Sequence, residues 1–175
     1  MTAFLPGVPE PGEYHPAFVG YVEKARRFAD PVAALATQGD DFLALLRTLP
    51  AEKRLYRYAR GKWSVQQLLG HITDAERVFA YRALRIGRAD QTPLPGFDEN
   101  PWAMAAEAER CDWGELIEEF AMVRRATILL LRHFPEAAWM RSAVVNGAPL
   151  SVRALAYILH GHVEHHIDIL RERYL

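Results

Sequence analysis

The sequence predicts an all-α protein built as a four-helix bundle. Four long segments repeat their apolar residues with the helical period of about 3.6 residues. Helix-starting patterns, such as Asp30-Pro31 and Ser64, stand immediately before these segments. Beyond one short hairpin we find no sequence pattern that indicates a sheet. At 175 residues, 50% of them hydrophobic, the chain is long enough to bury one sizeable core.

The first bundle helix is predicted over residues 31–49. Asp30 is an N-cap residue, and Pro31 occupies the first helical position, where proline loses no hydrogen bond. An apolar stripe follows, which we expect to be interrupted near Gly39 before the helix stops ahead of Pro50.

The other three bundle helices follow the same logic. The second begins at Ser64, with Gln67 three residues later in a capping-box pattern, and should fade near Gly87. The third is predicted over residues 112–134 and the fourth from residue 151 to the C-terminus.

The remaining segments are rich in helix-breaking residues. Residues 1–29 form a proline-rich extended arm followed by a short helix, and we treat residues 1–175 as a single domain. Residues 88–111 are a long connection, which allows a crossover between the second and third helices. Asn146-Gly147 predicts a tight turn, the tip of a small hairpin.

Composition excludes several classes of function. Lys and Arg number 21 against 22 Asp and Glu, which offers no basic face for nucleic acid or for a membrane surface. The chain lacks a signal-peptide pattern and an apolar run of about 20 residues. Cys111 is the single cysteine, so we expect a cytoplasmic protein whose partner is a small molecule.

The seven histidines are unevenly distributed, and four of them lie within residues 160–166. His162 and His166 are one helical turn apart, so both rings can reach one metal ion; His162 and His165 could share one in principle. On a helical wheel His166 lies near the centre of the apolar stripe and His162 on its flank. We therefore expect His160 and His165 to lie at the rim.

A third ligand should come from a facing helix. His71 lies on the flank of the second helix's apolar stripe. Asp74, one turn further, is a candidate for orienting the His71 ring or contacting a water at the ion. The alternative without a metal is that each histidine is an ordinary core residue whose ring nitrogens form hydrogen bonds.

Two segments carry a resemblance to a known family. One runs from Lys62-Trp63-Ser64 through Gly70-His71 to Arg82, and the other runs from Ser151 through Gly161-His162 to His165-His166-Ile167. Together they resemble the DinB-like, or YfiT-like, superfamily of metalloenzymes. The resemblance implies an up-down-down-up bundle with a long crossover between helices 2 and 3. It also implies that His71, His162 and His166 hold one divalent ion, and that a small residue would be expected where His160 stands.

The resemblance further implies a class of activity. Characterised relatives include bacillithiol-dependent transferases, which suggests a metal-dependent transferase that joins a low-molecular-weight thiol to an electrophile in stress response or detoxification. Zinc, nickel, iron or manganese would suit the histidine ligands. A homodimer is also expected by resemblance.

Two other functions remain open at the level of sequence. The first is a non-catalytic bundle, stapled by its metal, that acts as a stress-related binding or dimerisation module. The second is a hydrolase that activates water. Three histidines leave coordination positions open, which is typical of a working metal site.

The remaining residues of interest are candidates for a pocket wall and residues expected at the surface. Five side chains are candidates for lining a pocket, namely Trp63, Tyr81, Arg82, Trp102 and Arg153. We favour a plainer explanation for each: core packing for the aromatic residues, and surface ion pairs with Asp74, Glu76 or Glu164 for the arginines. His15 and His133 are expected to be surface or packing residues, and Cys111 an incidental thiol.

Overall fold

The computed structural model describes residues 4–175, and most of them are helical. The α-helices are α1 Val19–Ala25, α2 Pro31–Arg47, α3 Ala51–Arg54, α4 Val65–Gly87, α5 Glu99–Ala105, α6 Trp113–Arg132, α7 Glu136–Trp139 and α8 Val152–Ile169. The other elements are 3-10 turns at Pro11–Glu13, Pro16–Phe18 and Ala108–Arg110, a π-helical end at Leu170–Tyr174, and two strands, β1 Ser142–Val145 and β2 Ala148–Ser151.

The long helices α2, α4, α6 and α8 form a four-helix bundle. Helix α6 packs between α2 and α4, and α8 packs on the opposite side between the same two helices. Leu35 contacts Arg124 and Phe42 contacts Phe120, so α2 and α6 are antiparallel. Gly70 lies against Ala108, before α6 begins, and Gly87 lies against Phe134, after α6 ends, so α4 and α6 run in the same direction. The connection from α4 to α6 must therefore return along the bundle, and the predicted up-down-down-up topology is confirmed.

The predicted capping patterns are confirmed. Asp30 accepts hydrogen bonds from the backbone amides at 32 and 33, and Ser64 and Gln67 form a reciprocal capping box. The predicted interruption near Gly39 is wrong, because α2 is continuous there. A Cβ at Gly39 would lie 3.1 Å from Cγ of Arg124, so the glycine gives space to the neighbouring helix.

The hairpin and the crossover connection are joined to each other. Asn146 and Gly147 have φ values of +49° and +78°, as the predicted tight turn requires. The backbone amide of Leu94 donates to the carbonyl of Val144, and the amide of Asn146 donates to the carbonyl of Leu94, both at 2.9 Å. The crossover is therefore held at a defined position beside the end of the bundle.

Helix α1 crosses the outer face of α8 at very short range. Gly161 makes this approach feasible, because a Cβ there would lie 1.9 Å from the carbonyl oxygen of Tyr21. Arg153 on α8 forms an ion pair with Glu13 of the arm. As a result α8 is buried on nearly all sides over residues 152–163, and not on one stripe as the wheel predicted.

The core consists of two apolar clusters with a polar layer between them. One cluster surrounds the α8 residues up to Leu159, and the other surrounds those from Val163 onward. Buried Gln38, Glu76 and Arg124 lie at the level between them, and Arg124 donates to Glu76 at 2.7 Å. Within residues 4–175, no helix has both the length and the apolar character needed to cross a membrane.

Candidate metal centre

The structure brings His71, His162 and His166 together at the middle of the bundle. Nε2 of His162 lies 3.1 Å from Nε2 of His71 and 3.1 Å from Nε2 of His166. All three residues are buried, with at most 7% of their surface exposed. These are the residues that the sequence singled out, from helices far apart in the chain.

Aromatic contacts hold the three rings in place. The Trp63 ring lies 4.7 Å from that of His71, measured between centroids. His162 is contacted by Tyr21 of α1 and Phe79 of α4, at 5.5 Å and 5.7 Å, in edge-on geometry. No hydrogen bond joins Trp63, Tyr21 or Phe79 to the converging Nε2 atoms among the described residues, so the rings are positioned by packing and their nitrogens are directed at one another.

The environment favours neutral imidazoles. Burial lowers the pKa of His71 to about 4, despite an opposing effect of the Glu99 charge. Burial first, and then the adjacent His166 and His71 rings, hold the pKa of His162 well below its ordinary value. Burial likewise lowers the pKa of His166 strongly. Neutral imidazole is the form that binds a metal ion.

The geometry of the nitrogens fits a metal ion better than a hydrogen-bonded cluster. A neutral ring nitrogen either donates one hydrogen bond or accepts one, so His162 Nε2 cannot satisfy both of its neighbours. Two imidazole nitrogens bound to zinc at about 2.05 Å lie roughly 2.9 Å to 3.3 Å apart for right-angled and tetrahedral arrangements. The two 3.1 Å separations fall within that interval.

The histidines lie in the wall of a cavity of about 440 Å³. Helix α8 contributes His162, His165 and His166 to this wall. Four other parts of the chain line the cavity, namely the arm and α1, helix α4, the crossover connection with the start of α5, and the tip of the hairpin; examples are Phe18, Tyr21, Phe79, Arg82, Phe97, Glu99, Asn146 and Leu150. A ligand of small-molecule size could therefore approach the three Nε2 atoms from this side.

Several predicted pocket residues lie elsewhere. Asp74 is directed at Arg77, 3.4 Å away, so its predicted role beside His71 is not supported. Tyr81 is exposed and contacts Arg85, and exposed Trp102 packs on Phe97. Arg153 ties down the arm through Glu13, as described above. None of the four lines the cavity, whereas Trp63 and Arg82 do.

The other histidines divide into two groups. His165 is half-buried and lines the cavity beside Tyr21, at a centroid distance of 5.6 Å, in line with the predicted rim position. His160 was predicted at the rim as well, and that is wrong. It is 2% exposed, packs on Phe28 and lines a second cavity, of about 500 Å³, on the far side of α8. Residues 26–30 cover this side, which the wheel had left open.

The structure confirms the expected surface positions of His15, His133 and Cys111, and it also places His15 at the cavity. His15 is exposed and accepts a hydrogen bond from the amide of Ala17, yet it also contributes to the cavity mouth. His133 is exposed at the end of α6, and Cys111 is an exposed thiol.

Sequence reasoning missed the residues that enclose the histidines. Tyr21, Phe79 and Phe97 shape the cavity, and Glu99 places a carboxylate near its mouth. Gly161 was the one local signal, because a glycine in the middle of a buried helix often marks a close crossing. It could not reveal which segment crosses there.

Comparison with known proteins agrees with this picture. A model of the DinB superfamily matches residues 34–170. A protein of Geobacillus thermodenitrificans named "Putative metal-dependent hydrolase" is 31% identical over 152 residues, which cover 81% of this chain and 83% of that protein. One of the same description from Oceanobacillus iheyensis is 32% identical over 60 residues, 34% of each chain.

A solved structure shares the fold. It is reported as "YfiT from Bacillus subtilis is a probable metal-dependent hydrolase with an unusual four-helix bundle topology". The match has a TM-score of 0.74 and covers 93% of this chain and 92% of the other, at 18% sequence identity. The match over residues 34–170 includes all three converging histidines, and the chain belongs to the DinB superfamily.

Proposed function

We propose that this protein is a metal-dependent enzyme in which His71, His162 and His166 hold one divalent ion. The single observation that supports this most directly is the convergence of three buried Nε2 atoms on the wall of an open cavity. Closed structural sites usually have four protein ligands, whereas catalytic sites keep at least one position free. The open side therefore argues against a metal that only staples helices together.

Within that class we favour transfer of a low-molecular-weight thiol to an electrophile, in stress response or detoxification. A bound divalent ion would lower the pKa of a thiol or a water at the open position and supply a nucleophile at neutral pH. The chain's own residues contribute position and environment. Trp63, Tyr21 and Phe79 fix the histidine rings and give this part of the cavity an aromatic wall.

Burial raises the pKa of Tyr21, with a further increase from the Glu99 charge. Its phenol therefore keeps its proton at neutral pH and can act as a hydrogen-bond donor at the cavity wall. We also propose that the protein acts in the cytoplasm, where low-molecular-weight thiols stay reduced. Its proposed oligomeric state is a homodimer.

Hydrolysis is the second candidate, since the curated relatives bear the name of metal-dependent hydrolases. The two reactions differ in the nucleophile and would use the same three histidines. They are separated by whether turnover requires an added thiol.

The metal assignment is tested by elemental analysis of purified variants. We expect His71→Ala, His162→Ala and His166→Ala each to abolish stoichiometric binding of zinc, nickel, iron or manganese. His165→Ala is the matched control, because it neighbours His166 in the cavity wall, and it should retain the metal; His160→Ala should as well. Full metal content in His166→Ala would refute the assignment.

The activity is tested with protein loaded with each metal in turn. Bacillithiol, cysteine or glutathione is offered with monochlorobimane or 1-chloro-2,4-dinitrobenzene, and p-nitrophenyl acetate is offered with and without thiol. We expect thiol conjugation above the uncatalysed rate, lost in His166→Ala. Ester cleavage without thiol would favour hydrolysis. No turnover on any pair, with metal removal lowering only thermal stability, would favour the non-catalytic bundle.

A further inference from the structure

Arg82 is a buried cation without an anionic partner in the described part of the chain. It lies on α4, is 5% exposed and lines the cavity. Its Nη2 donates to the carbonyl of Pro95 at 2.9 Å. No Asp or Glu among residues 4–175 lies within ion-pair distance of its guanidinium.

The other buried arginine shows the usual arrangement. In the part of the chain that the structure describes, Arg82 and Arg124 are the arginines classed as buried. Arg124 contacts the Glu76 carboxylate at 2.7 Å. A buried charge destabilises a protein unless an opposite charge pairs with it. We therefore expect the anion that pairs with Arg82 to come from a bound ligand.

The surroundings of Arg82 define what that partner looks like. The guanidinium carbon lies 5.8 Å from the centroid of Phe79 and 5.7 Å from that of Phe97, so aromatic rings flank it. A guanidinium carries five N–H donors, and the hydrogen bond to Pro95 uses one of them, so others can bind a ligand. Burial lowers the pKa of Arg82, yet arginine keeps its charge in proteins at any ordinary pH.

The other charged or titratable groups of the cavity do not compete for this role. His71, His162 and His166 direct their Nε2 atoms at one another and would hold the ion under the proposed function, and the His165 ring lies beside His166. Glu99 is exposed at the mouth and forms no ion pair with Arg82. Among the described residues that line the cavity, Arg82 is therefore the one lysine or arginine, and the divalent ion of the proposed function would be a second positive charge.

We propose that Arg82 binds the carboxylate of the substrate, so that the enzyme acts on small carboxylic acids whose reactive end faces the histidines. This rests on the proposed function. One guanidinium matches one carboxylate in charge and in bidentate geometry.

Distance sets the size of this substrate. Phe79 neighbours both groups, with its centroid 5.8 Å from the guanidinium carbon of Arg82 and 5.7 Å from the centroid of His162. Since both distances share the Phe79 centroid, the guanidinium lies within about 12 Å of the His162 ring. A molecule with a short chain between its carboxylate and its reactive group spans that gap.

The test compares acids with their uncharged amides on zinc-loaded protein. Isothermal titration is carried out with 6-mercaptohexanoate and 6-mercaptohexanamide, and with 3-phenylpropionate and 3-phenylpropionamide, on wild type, Arg82→Gln and Arg82→Lys. We expect wild type to bind each acid about tenfold more tightly than its amide. Arg82→Gln should bind acid and amide equally, with amide affinity unchanged, and Arg82→Lys should keep part of the preference.

Two results would overturn the proposal. One is equal affinity of wild type for acid and amide, which needs no variant and so does not depend on how Arg82→Gln folds. The other is an acid preference that persists in Arg82→Gln, which would mean that the ion or another group holds the carboxylate. Metal content and melting temperature are measured on each variant to detect loss of the Pro95 contact.

The same experiment separates this proposal from the proposed function. Cobalt-substituted protein reports thiolate coordination through its charge-transfer absorption. If neither mercapto compound produces that band, thiol activation at the ion is wrong, while the phenylpropionate pair still decides the role of Arg82. If both produce it with equal affinity, the ion activates thiols and the Arg82 proposal is wrong.

Discussion

Replacing Gly161 by alanine should destabilise the protein, although helix propensity alone predicts the opposite. Gly161 lies inside α8, where α1 crosses. An added Cβ would lie 1.9 Å from the carbonyl oxygen of Tyr21, 2.4 Å from its carbonyl carbon and 2.6 Å from its Cα. All three atoms belong to backbone, so no side-chain rotation relieves the overlap.

The magnitude follows from two opposing effects. Glycine to alanine in a helix interior favours folding by about 1 kcal/mol. Against this, a carbon normally approaches a carbonyl oxygen to about 3.3 Å, so α1 must retreat by roughly 1.4 Å. That movement lifts Val22 and Ala25, which are buried on α1, away from their contacts. With an overpacking cost of about 3 kcal/mol, we expect a net loss of about 2 kcal/mol.

The assay is thermal and urea unfolding of Gly161→Ala beside Gly20→Ala. Gly20 lies on α1, exposed, with no heavy atom within 4 Å of a Cβ built on it. Gly20→Ala should therefore gain about 0.5–1 kcal/mol. For a chain of this length, Gly161→Ala should melt about 4–8 °C below wild type. A Gly161→Ala protein as stable as wild type would refute the close crossing of α1 over α8.

Two further predictions concern buried polar groups. Arg124→Met leaves the Glu76 carboxylate buried without its partner, and urea unfolding should show a loss of about 3–5 kcal/mol. The control is Arg77→Ala, which removes exposed ion pairs and should lower the free energy of unfolding by no more than about 1 kcal/mol. Equal losses of stability in Arg124→Met and Arg77→Ala would contradict the importance of the buried pair. Burial raises the pKa of Tyr174 to about 12 from the ordinary 10.0, so its contribution to stability is present below pH 10 and is lost as the pH rises toward 12. In an ultraviolet alkaline titration Tyr174→Phe should remove one late-ionising tyrosine, while other tyrosines whose pKa is raised by burial, such as Tyr21, still ionise late in both proteins; identical titrations of the two proteins would contradict this.

Much of the fold was accessible from the sequence because helix ends depend on residues a few positions apart. Asp30-Pro31 and the Ser64–Gln67 pair mark helix starts that the structure has at the predicted positions. The turn at Asn146-Gly147 was found for the same reason. Gly39 shows the limit, because its effect on α2 depended on Arg124, 85 positions away in the sequence.

The three histidines were selected partly by local geometry and partly by resemblance. His162 and His166 follow from the spacing of one helical turn. Assigning His71 required knowing which helix faces α8, and the resemblance to the family provided that information. The expected rim position of His160 failed because the wheel assumed a single buried stripe, whereas α1 and residues 26–30 bury the opposite side of α8 as well.

The sequence by itself determined the helices, their caps and the pair of histidines one turn apart, since each depends on neighbours within about four residues. Only the tertiary structure decided that α1 crosses α8 at Gly161, that Tyr21 and Phe79 enclose the His162 ring, and that Arg82 has no carboxylate partner among residues 4–175. These features depend on which distant segments pack together. The free energy that selects such packing is summed over the whole core and leaves no periodic pattern in the chain.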